Sequence, residues 1–169
     1  MNTNERRERI LDYLKAADHP LSATALAQKL SVSRQIIVGD VALLRAAGAD
    51  ITATPRGYVL ERPRTGFIRT VACLHSGEAM EQELTLIVDQ GCTVENVIVE
   101  HPVYGQLTGP LDLSSRYDIY EFMRKVSENG ARPLSALTDG IHLHTLRCPS
   151  QEAFDRTAAA LEKAGFLVR

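Results

Sequence analysis

Residues 22–48 contain two short amphipathic helical patterns that are separated by a tight turn. Ser22 is placed to cap a helix over Ala23–Leu30, whose apolar residues share one face. Ser33 is placed to cap the next helix, and Gly48 is placed to end it in the left-handed conformation. A further helix, over residues 5–17, is predicted before this pair. Two helices joined by a turn of about three or four residues form the helix-turn-helix pattern.

Two short strand-like runs follow the last of these helices. They cover residues 50–54 and 57–60, on either side of Arg56, and predict a hairpin of the size of a wing. Helices followed by such a hairpin predict a winged helix-turn-helix, in which the last helix reads the major groove of DNA. The stretch LSVSRQIIVGDVALLRAAGADITATPRGYVL (30–60) resembles the DNA-binding domain at the head of biotin-repressor-type regulators.

The outward residues near the start of the last helix are the predicted contacts to base edges. Arg34 and Gln35 suit guanine and adenine edges, respectively. Arg45 and the hairpin's Arg56 are expected to contact phosphates. Gly39 is unusual, because a glycine inside a helix costs about 1 kcal/mol relative to alanine and offers no side chain for a contact. The predicted DNA-binding residues are Ser33, Arg34, Gln35, Val38, Arg45 and Arg56.

Charge alone does not indicate a nucleic-acid partner. The chain of 169 residues has a net charge of −2; residues 1–61 carry 8 Lys/Arg and 7 Asp/Glu, and residues 62–169 carry 11 and 14. The expectation of DNA binding therefore depends on motif geometry. No apolar run approaches the ~20 residues needed to cross a bilayer, so a cytoplasmic protein is expected.

The three cysteines are Cys73, Cys92 and Cys148, and no two of them form a CxxC pair. An odd, widely spaced set in a chain of this kind argues against a disulfide framework. We expect each of them to be a small buried hydrophobic residue.

Strands and helices alternate after a short linker at residues 62–66. This pattern predicts an α+β domain over residues 67–169, with helices on one face of a sheet. Ser76 and Ser115 are expected to cap helices, the second with Asp118 in a capping box. The predicted strands are 67–75, 94–101, 104–113, 141–148 and 166–168, and the predicted helices are 78–90, 115–129 and 150–164.

Histidines carry the chemistry of this second domain. His142 and His144 are two residues apart on a predicted strand, so both imidazoles point to the same face. His75 ends the first strand of the domain, and Glu83 projects from the helix that follows. Three imidazoles and a carboxylate suit Zn, Ni, Fe or Mn. Spacing alone leaves Glu78 and Glu81 open as the carboxylate, and Cys73 shares the face of His75.

The motifs HSGEAMEQEL (75–84), VIVEHPVYG (97–105) and GIHLHTL (140–146), after a helix-turn-helix, resemble the 3H-domain regulators. That family is similar to the nicotinate-responsive repressors of NAD biosynthesis and niacin uptake. The resemblance implies that His75, Glu83, His142 and His144 bind a divalent metal, and so selects Glu83 over the other two carboxylates. His101 is either a hydrogen-bonded structural residue or, with Tyr104, part of the effector pocket.

The resulting expectation is a homodimeric, metal-dependent repressor that binds operator DNA in response to nicotinic acid. The effector would favour one arrangement of the two DNA-reading heads. One alternative is a metal-responsive regulator without an organic effector. Another is a metal-dependent hydrolytic enzyme, since three histidines and a glutamate with a vacant coordination position can activate water.

Overall fold

A computed structural model describes residues 2–61 and 65–169. The chain divides into two compact units, the N-terminal unit of residues 1–64 and the C-terminal unit of residues 65–169. Most of the linker predicted at 62–66 lies outside the described residues. Within them, no helix is long and apolar enough to cross a membrane.

The N-terminal unit is a winged helix-turn-helix, as predicted. Its elements are α1 (Thr3–Ala16), α2 (Ala23–Leu30), α3 (Arg34–Ala46), β1 (Ile51–Thr54) and β2 (Gly57–Leu60). The side chains of Asn2, Ser22 and Ser33 cap the three helices by accepting backbone N–H hydrogen bonds. The three helices and β1 enclose an aliphatic core that includes Ile10, Leu26, Ile37 and Val41.

The wing is attached to Leu21, the residue before the N-cap of α2. The N–H of Leu21 donates to the carbonyl of Tyr58, and the N–H of Tyr58 donates to the carbonyl of Leu21. Gly57 lies beside this bridge with a φ of 137°, and a Cβ there would lie 2.5 Å from the carbonyl carbon of Leu21. Glycine is therefore required for so close an approach.

A buried carboxylate joins the first and third helices. Asp40 lies on the inner face of α3, and its two oxygens accept hydrogen bonds from Arg6 Nε at 2.5 Å and Arg7 Nε at 3.0 Å. Burial raises the pKa of Asp40, but the hydrogen bonds from the two arginines lower it by more, so the pKa lies below its ordinary value. The spacing of these three residues along the chain does not predict this cluster.

The C-terminal unit is an α+β domain, again as predicted. Its strands are β3 (Phe67–Leu74), β4 (Thr93–His101), β5 (Gly105–Leu113) and β6 (Ile141–Cys148), and its helices are α4 (Met80–Asp89), α5 (Arg116–Glu128) and α6 (Gln151–Lys163). The antiparallel sheet has the order β3-β6-β4-β5. The helices and the sheet pack around a core that includes Leu84, Ile87, Leu146 and Leu161.

Three local features of this unit differ from the prediction. Ser76 makes no side-chain capping bond, because a 3-10 turn at Gly77–Ala79 precedes α4. Residues 166–168 form only an isolated bridge to β3, at Leu167 and Cys73, and not a strand. A short 3-10 helix at Leu134–Thr138, which was not predicted, precedes the turn into β6.

The expectation of three unpaired cysteines is wrong for two of them. All three are buried, as expected, but Cys92 and Cys148 form a disulfide. The physical reason is register: Thr93 of β4 lies opposite Arg147 of β6, which brings the residues just beyond this pair together. Strand pairing of this kind is not visible in the spacing of the cysteines along the chain.

Candidate metal centre and DNA-reading helix

Glu83 lies at the centre of a cluster of three histidines. Its Oε2 is 2.7 Å from His75 Nε2, and His142 Nε2 lies 3.1 and 3.2 Å from its two oxygens. His144 Nε2 is 3.3 Å from Oε2, but it makes no hydrogen bond within the described residues. The four side chains are each 5% exposed or less. A cluster predicted from three separate segments is thus assembled in one buried place.

The sheet determines where the histidines point. His142 and His144 lie on the covered face of β6, while Ile141 and Leu143 between and beside them are exposed on the other face. His142 lies opposite Cys73 of β3, so the end of β3 brings His75 alongside. Glu83 is in the first turn of α4, which packs against the same sheet.

Each of the three imidazoles donates its Nδ1–H to a backbone carbonyl. The acceptors are Ser76 O for His75 at 2.7 Å, Gly140 O for His142 at 2.8 Å and Asn96 O for His144 at 2.6 Å. A carbonyl only accepts, so each Nδ1 carries a proton and each Nε2 of a neutral ring presents its lone pair toward Glu83. Second contacts of this kind hold metal-binding histidines in one tautomer and orientation.

A β-bulge supplies the carbonyl for His144. Between the pairs Val94–Leu146 and Ile98–Leu143, β4 advances four residues while β6 advances three. The extra residue interrupts the ladder and leaves the Asn96 carbonyl to accept from the imidazole. The Asn96 side chain accepts the N–H of Thr145 at 3.0 Å, which ties the bulge to β6.

Gly140 contacts two of the histidines. It has a φ of 95°, and a Cβ on it would lie 2.5 Å from the carbonyl oxygen of His75. Its own carbonyl accepts from His142. Asn96 and Gly140 were not among the predicted site residues, although the GIHLHTL motif begins at this glycine.

The electrostatics of the cluster favour a cation at its centre. Burial raises the pKa of Glu83, but the three imidazoles lower it by more, so Glu83 is ionised. Burial lowers the pKa of His75, but its bonds to Glu83 and Ser76 O outweigh this and raise it. Neutral imidazoles would turn three lone pairs toward a carboxylate, while three imidazolium ions would bury three positive charges against one negative. A divalent cation bound by the four groups avoids both costs, so the residues fit a metal.

Neighbouring candidates are less suitable as ligands. Glu78 and Glu81 are exposed, whereas Glu83 is buried. Cys73 is buried beside Glu83, and burial followed by the charge of Glu83 raises the pKa of its thiol well above the ordinary value. The Cys73 thiol is therefore neutral beside the metal-free cluster, whereas the thiolate is the form that binds metals.

His101, the last residue of β4, and Tyr104, in the turn into β5, lie together. His101 Nδ1 accepts the backbone N–H groups of Val103 and Tyr104 at 3.1 and 3.2 Å, and the two rings are 5.1 Å apart. The Tyr104 side chain is exposed. His101 therefore has a structural role in this turn, and its role in binding an effector stays a prediction.

The predicted DNA-binding residues lie on α3 and in the wing. Ser33 caps α3; Arg34 and Gln35 are exposed in its first turn, Val38 is half-buried, and Arg45 is exposed in its last turn. Arg56 lies in the turn between β1 and β2. The only acidic residue of α3 is Asp40, which is buried and neutralised. The exposed face of α3 is therefore free of negative charge.

Known proteins match both units. The HTH domain family matches residues 6–59, and the 3H domain family matches residues 68–169. The chain is 44% identical over 168 residues to the transcription repressor NadR of Bacillus subtilis (strain 168), covering 97% of this chain and 93% of that protein. It is 43% identical over 164 residues to the probable transcription repressor NiaR of Thermotoga maritima, covering 97% and 94%.

These matches, with a winged helix and a separate histidine-rich unit, define a DNA-binding transcription regulator. The protein is a repressor and not an enzyme, so the hydrolytic interpretation of the histidine cluster is wrong. The chain belongs to the 3H-domain family of transcription repressors.

Proposed function

We propose that the protein is a cytoplasmic, homodimeric repressor that binds operator DNA in response to nicotinic acid and controls genes of NAD biosynthesis or niacin uptake. The observation that carries the proposal is the buried cluster of Glu83 with three inward-facing Nε2 atoms, one of which has no hydrogen-bond partner in the described part of the chain. The resemblance to nicotinate-responsive repressors supplies the identity of the effector and of the genes.

His75, Glu83, His142 and His144 would hold one divalent transition metal, and Ni, Zn, Fe and Mn all suit such a set. The metal would offer an open coordination position to a carboxylate or a pyridine nitrogen. The chain's own contribution is to keep the three rings in one tautomer, through the carbonyls of Ser76, Gly140 and Asn96.

We expect nicotinic acid to bind more tightly than nicotinamide because it carries a carboxylate. A charge-assisted bond to a cation or a charged donor contributes about 1.5–3 kcal/mol, and the neutral amide lacks it. This corresponds to a difference in affinity of roughly tenfold or more. His101 suits a supporting role, because its Nδ1 accepts from its own turn and its Nε2–H is therefore a donor.

We expect a homodimer because the DNA-reading head of one chain is small. One small winged helix makes too few contacts for specific affinity, so two copies on a two-fold symmetric operator are expected, with half-sites one or more helical turns apart. Arg34→Ala should cost about 1–3 kcal/mol and relax the preference at one base position per half-site. An equal loss on specific and random DNA would show that Arg34 contacts phosphate only.

Titration of nicotinate tests the effector. Linkage requires that nicotinate tighten operator binding and that operator tighten nicotinate binding by the same factor. Calorimetric titrations of metal-loaded protein with nicotinate, with and without operator DNA, should give different affinities, and nicotinamide should bind more weakly. Equal affinities with and without operator would exclude nicotinate as the allosteric ligand.

A metal-responsive repressor without an organic effector is the second candidate. It is favoured by the low exposure of all four side chains in the cluster, which leaves little of them to contact an organic ligand. In that case metal alone should change operator affinity, and nicotinate should add nothing.

A further inference from the structure

Gly39 lies on the exposed face of α3, and no residue that the structure describes packs closely enough to require a glycine there. It is within the regular helix Arg34–Ala46 and is not among the glycines with positive φ. A Cβ at this position would meet no side chain and no backbone of another element within 4 Å. A glycine that costs helix stability without a structural need indicates that the space serves a ligand.

Two exposed apolar side chains flank this space. Ile36, three residues before Gly39, is 42% exposed, and Leu43, four residues after it, is 52% exposed. Residues three and four apart lie on one helix face, and helical side chains point toward the N-terminus, so Leu43 leans over the turn of Gly39. Neither side chain fills the space above the glycine. The result is an apolar notch, formed by Ile36, Gly39 and Leu43.

The position of the notch on α3 of the helix-turn-helix identifies its occupant as DNA. Arg34 and Arg45 stand at the two ends of α3, and its one acidic residue, Asp40, is buried between Arg6 and Arg7. The exposed side of α3 therefore carries no negative charge, as a DNA surface requires, and Arg34 and Arg45 flank it on the side of the helix away from the notch. In the major groove the apolar group that a helix can meet is the C5-methyl group of thymine.

We propose that the notch of Ile36, Gly39 and Leu43 receives a thymine methyl group in each half-site of the operator, and so makes Gly39 a specificity-determining residue. The inference rests on the proposed binding of operator DNA by α3. Gly39 acts by allowing the backbone of α3 to approach the base edge closely. Ile36 and Leu43 supply the apolar contact that distinguishes thymine from cytosine, which has no methyl group.

The test uses the full-length protein and duplexes that it selects from a random-sequence DNA library. In one series, each thymine of a selected duplex is replaced by deoxyuracil, which removes only the methyl group. One position per half-site should lose affinity by about three- to fivefold, the effect expected for one buried methyl group. A scan without any sensitive position would overturn the proposal.

In a second series, Gly39→Ala adds the missing methyl group to the protein. Affinity for the selected duplexes should fall by about tenfold or more, because the notch is overpacked, and the sensitivity to deoxyuracil should disappear. The thermal midpoint of the N-terminal unit should nevertheless rise, by about 4–8 °C, since alanine is the better helix former. Unchanged affinity in Gly39→Ala would overturn the proposal.

Ser127→Ala is the matched control. Ser127 is an exposed residue inside α5 of the other unit, so its replacement also favours helix but should not alter DNA affinity. The selection from the library distinguishes a failure of the proposed operator binding from a failure of the proposed thymine notch. If no sequence is enriched, the proposed operator binding fails; if a sequence is enriched but either series lacks the expected loss, only the thymine notch fails.

Discussion

Each unit of this repressor has a buried carboxylate at the centre of a cluster of nitrogen-bearing side chains, Asp40 in one unit and Glu83 in the other, and the two carboxylates have different partners. Asp40, 4% exposed, receives one guanidinium on each oxygen, from Arg6 and Arg7. Glu83, 1% exposed, is surrounded instead by three imidazoles, and among residues 2–61 and 65–169 the Nε2 of His144 has no hydrogen-bond partner. The first cluster joins two helices, and the second joins a helix to the end of one strand and the middle of another.

The difference lies in what each partner can do. A guanidinium is always charged, so the Asp40 cluster is complete without a ligand. An imidazole is charged or neutral near physiological pH and binds metals in its neutral form. The Glu83 cluster is therefore balanced only when a cation joins it. The chemistry of the partners thus makes Asp40 part of a structural ion pair and Glu83 part of a candidate binding site.

Replacing Glu83 should produce the largest effect. Glu83→Gln keeps the size of the side chain but removes the charge, and we expect the affinity for divalent metal to fall by about 100-fold or more. Asp40→Asn and the exposed Glu81→Gln should leave the affinity unchanged. Calorimetric titration of chelator-treated protein with Zn or Ni measures this. If the metal affinity of Glu83→Gln is within a few-fold of that of the parent, Glu83 is not a metal ligand.

Removing the carboxylate of Asp40 should instead reduce stability. Asp40→Ala leaves two cations beside an empty space, and we expect the free energy of unfolding of the N-terminal unit to fall by about 2–3 kcal/mol, less than for a fully buried pair because both arginines are partly exposed. Hydrogen exchange of amides in α1 and α3 under urea measures the loss. The metal content should not change. Unaltered protection of both helices would show that the pair contributes nothing.

Gly140→Ala should weaken the metal site although all four ligands remain. The new Cβ would lie against the carbonyl of His75, and the shift would also move the carbonyl that holds His142. We expect metal affinity to fall by about 10- to 100-fold, as for other contacts behind metal ligands. Gly130→Ala is the control, since Gly130 also has a positive φ but has open space around it. If both variants lose metal affinity by the same factor, backbone strain at a positive φ explains the loss, and contact with the histidines does not.

The smallest effect is the pH dependence of the Asp40 pair. The pKa of the Asp40 carboxyl group is lower in the folded protein than in the unfolded chain, where a value near 3.9 is usual. The contribution to stability is therefore fully present above that value and is lost as the pH falls toward the lower, folded pKa. The difference in unfolding free energy between the parent and Asp40→Asn should shrink from pH 6 toward the acid range. A constant difference would contradict the assigned shift.

Local patterns predicted most of the fold, and long-range register explains what was missed. Ala23–Leu30, Gly57–Leu60 and Ile141–Cys148 have the predicted bounds, because caps, turns and alternation are encoded within each segment. The common face of His142 and His144 followed from strand parity. The Cys92–Cys148 bond and the carbonyl of Asn96 depend on how β4 pairs with β6, including one bulge. The burial of Asp40 likewise depends on where α1 lies.

The strand order has a consequence for synthesis of the chain on the ribosome. β6 is the last strand to be made, yet it lies between β3 and β4, so β3 has no neighbour in the sheet until residues 141–148 have emerged. The N-terminal unit depends only on nearby segments and can fold early, since domains generally fold as units and local contacts form fastest. The histidine cluster must come late. During translation, the DNA-reading head therefore exists before the cluster that would control it.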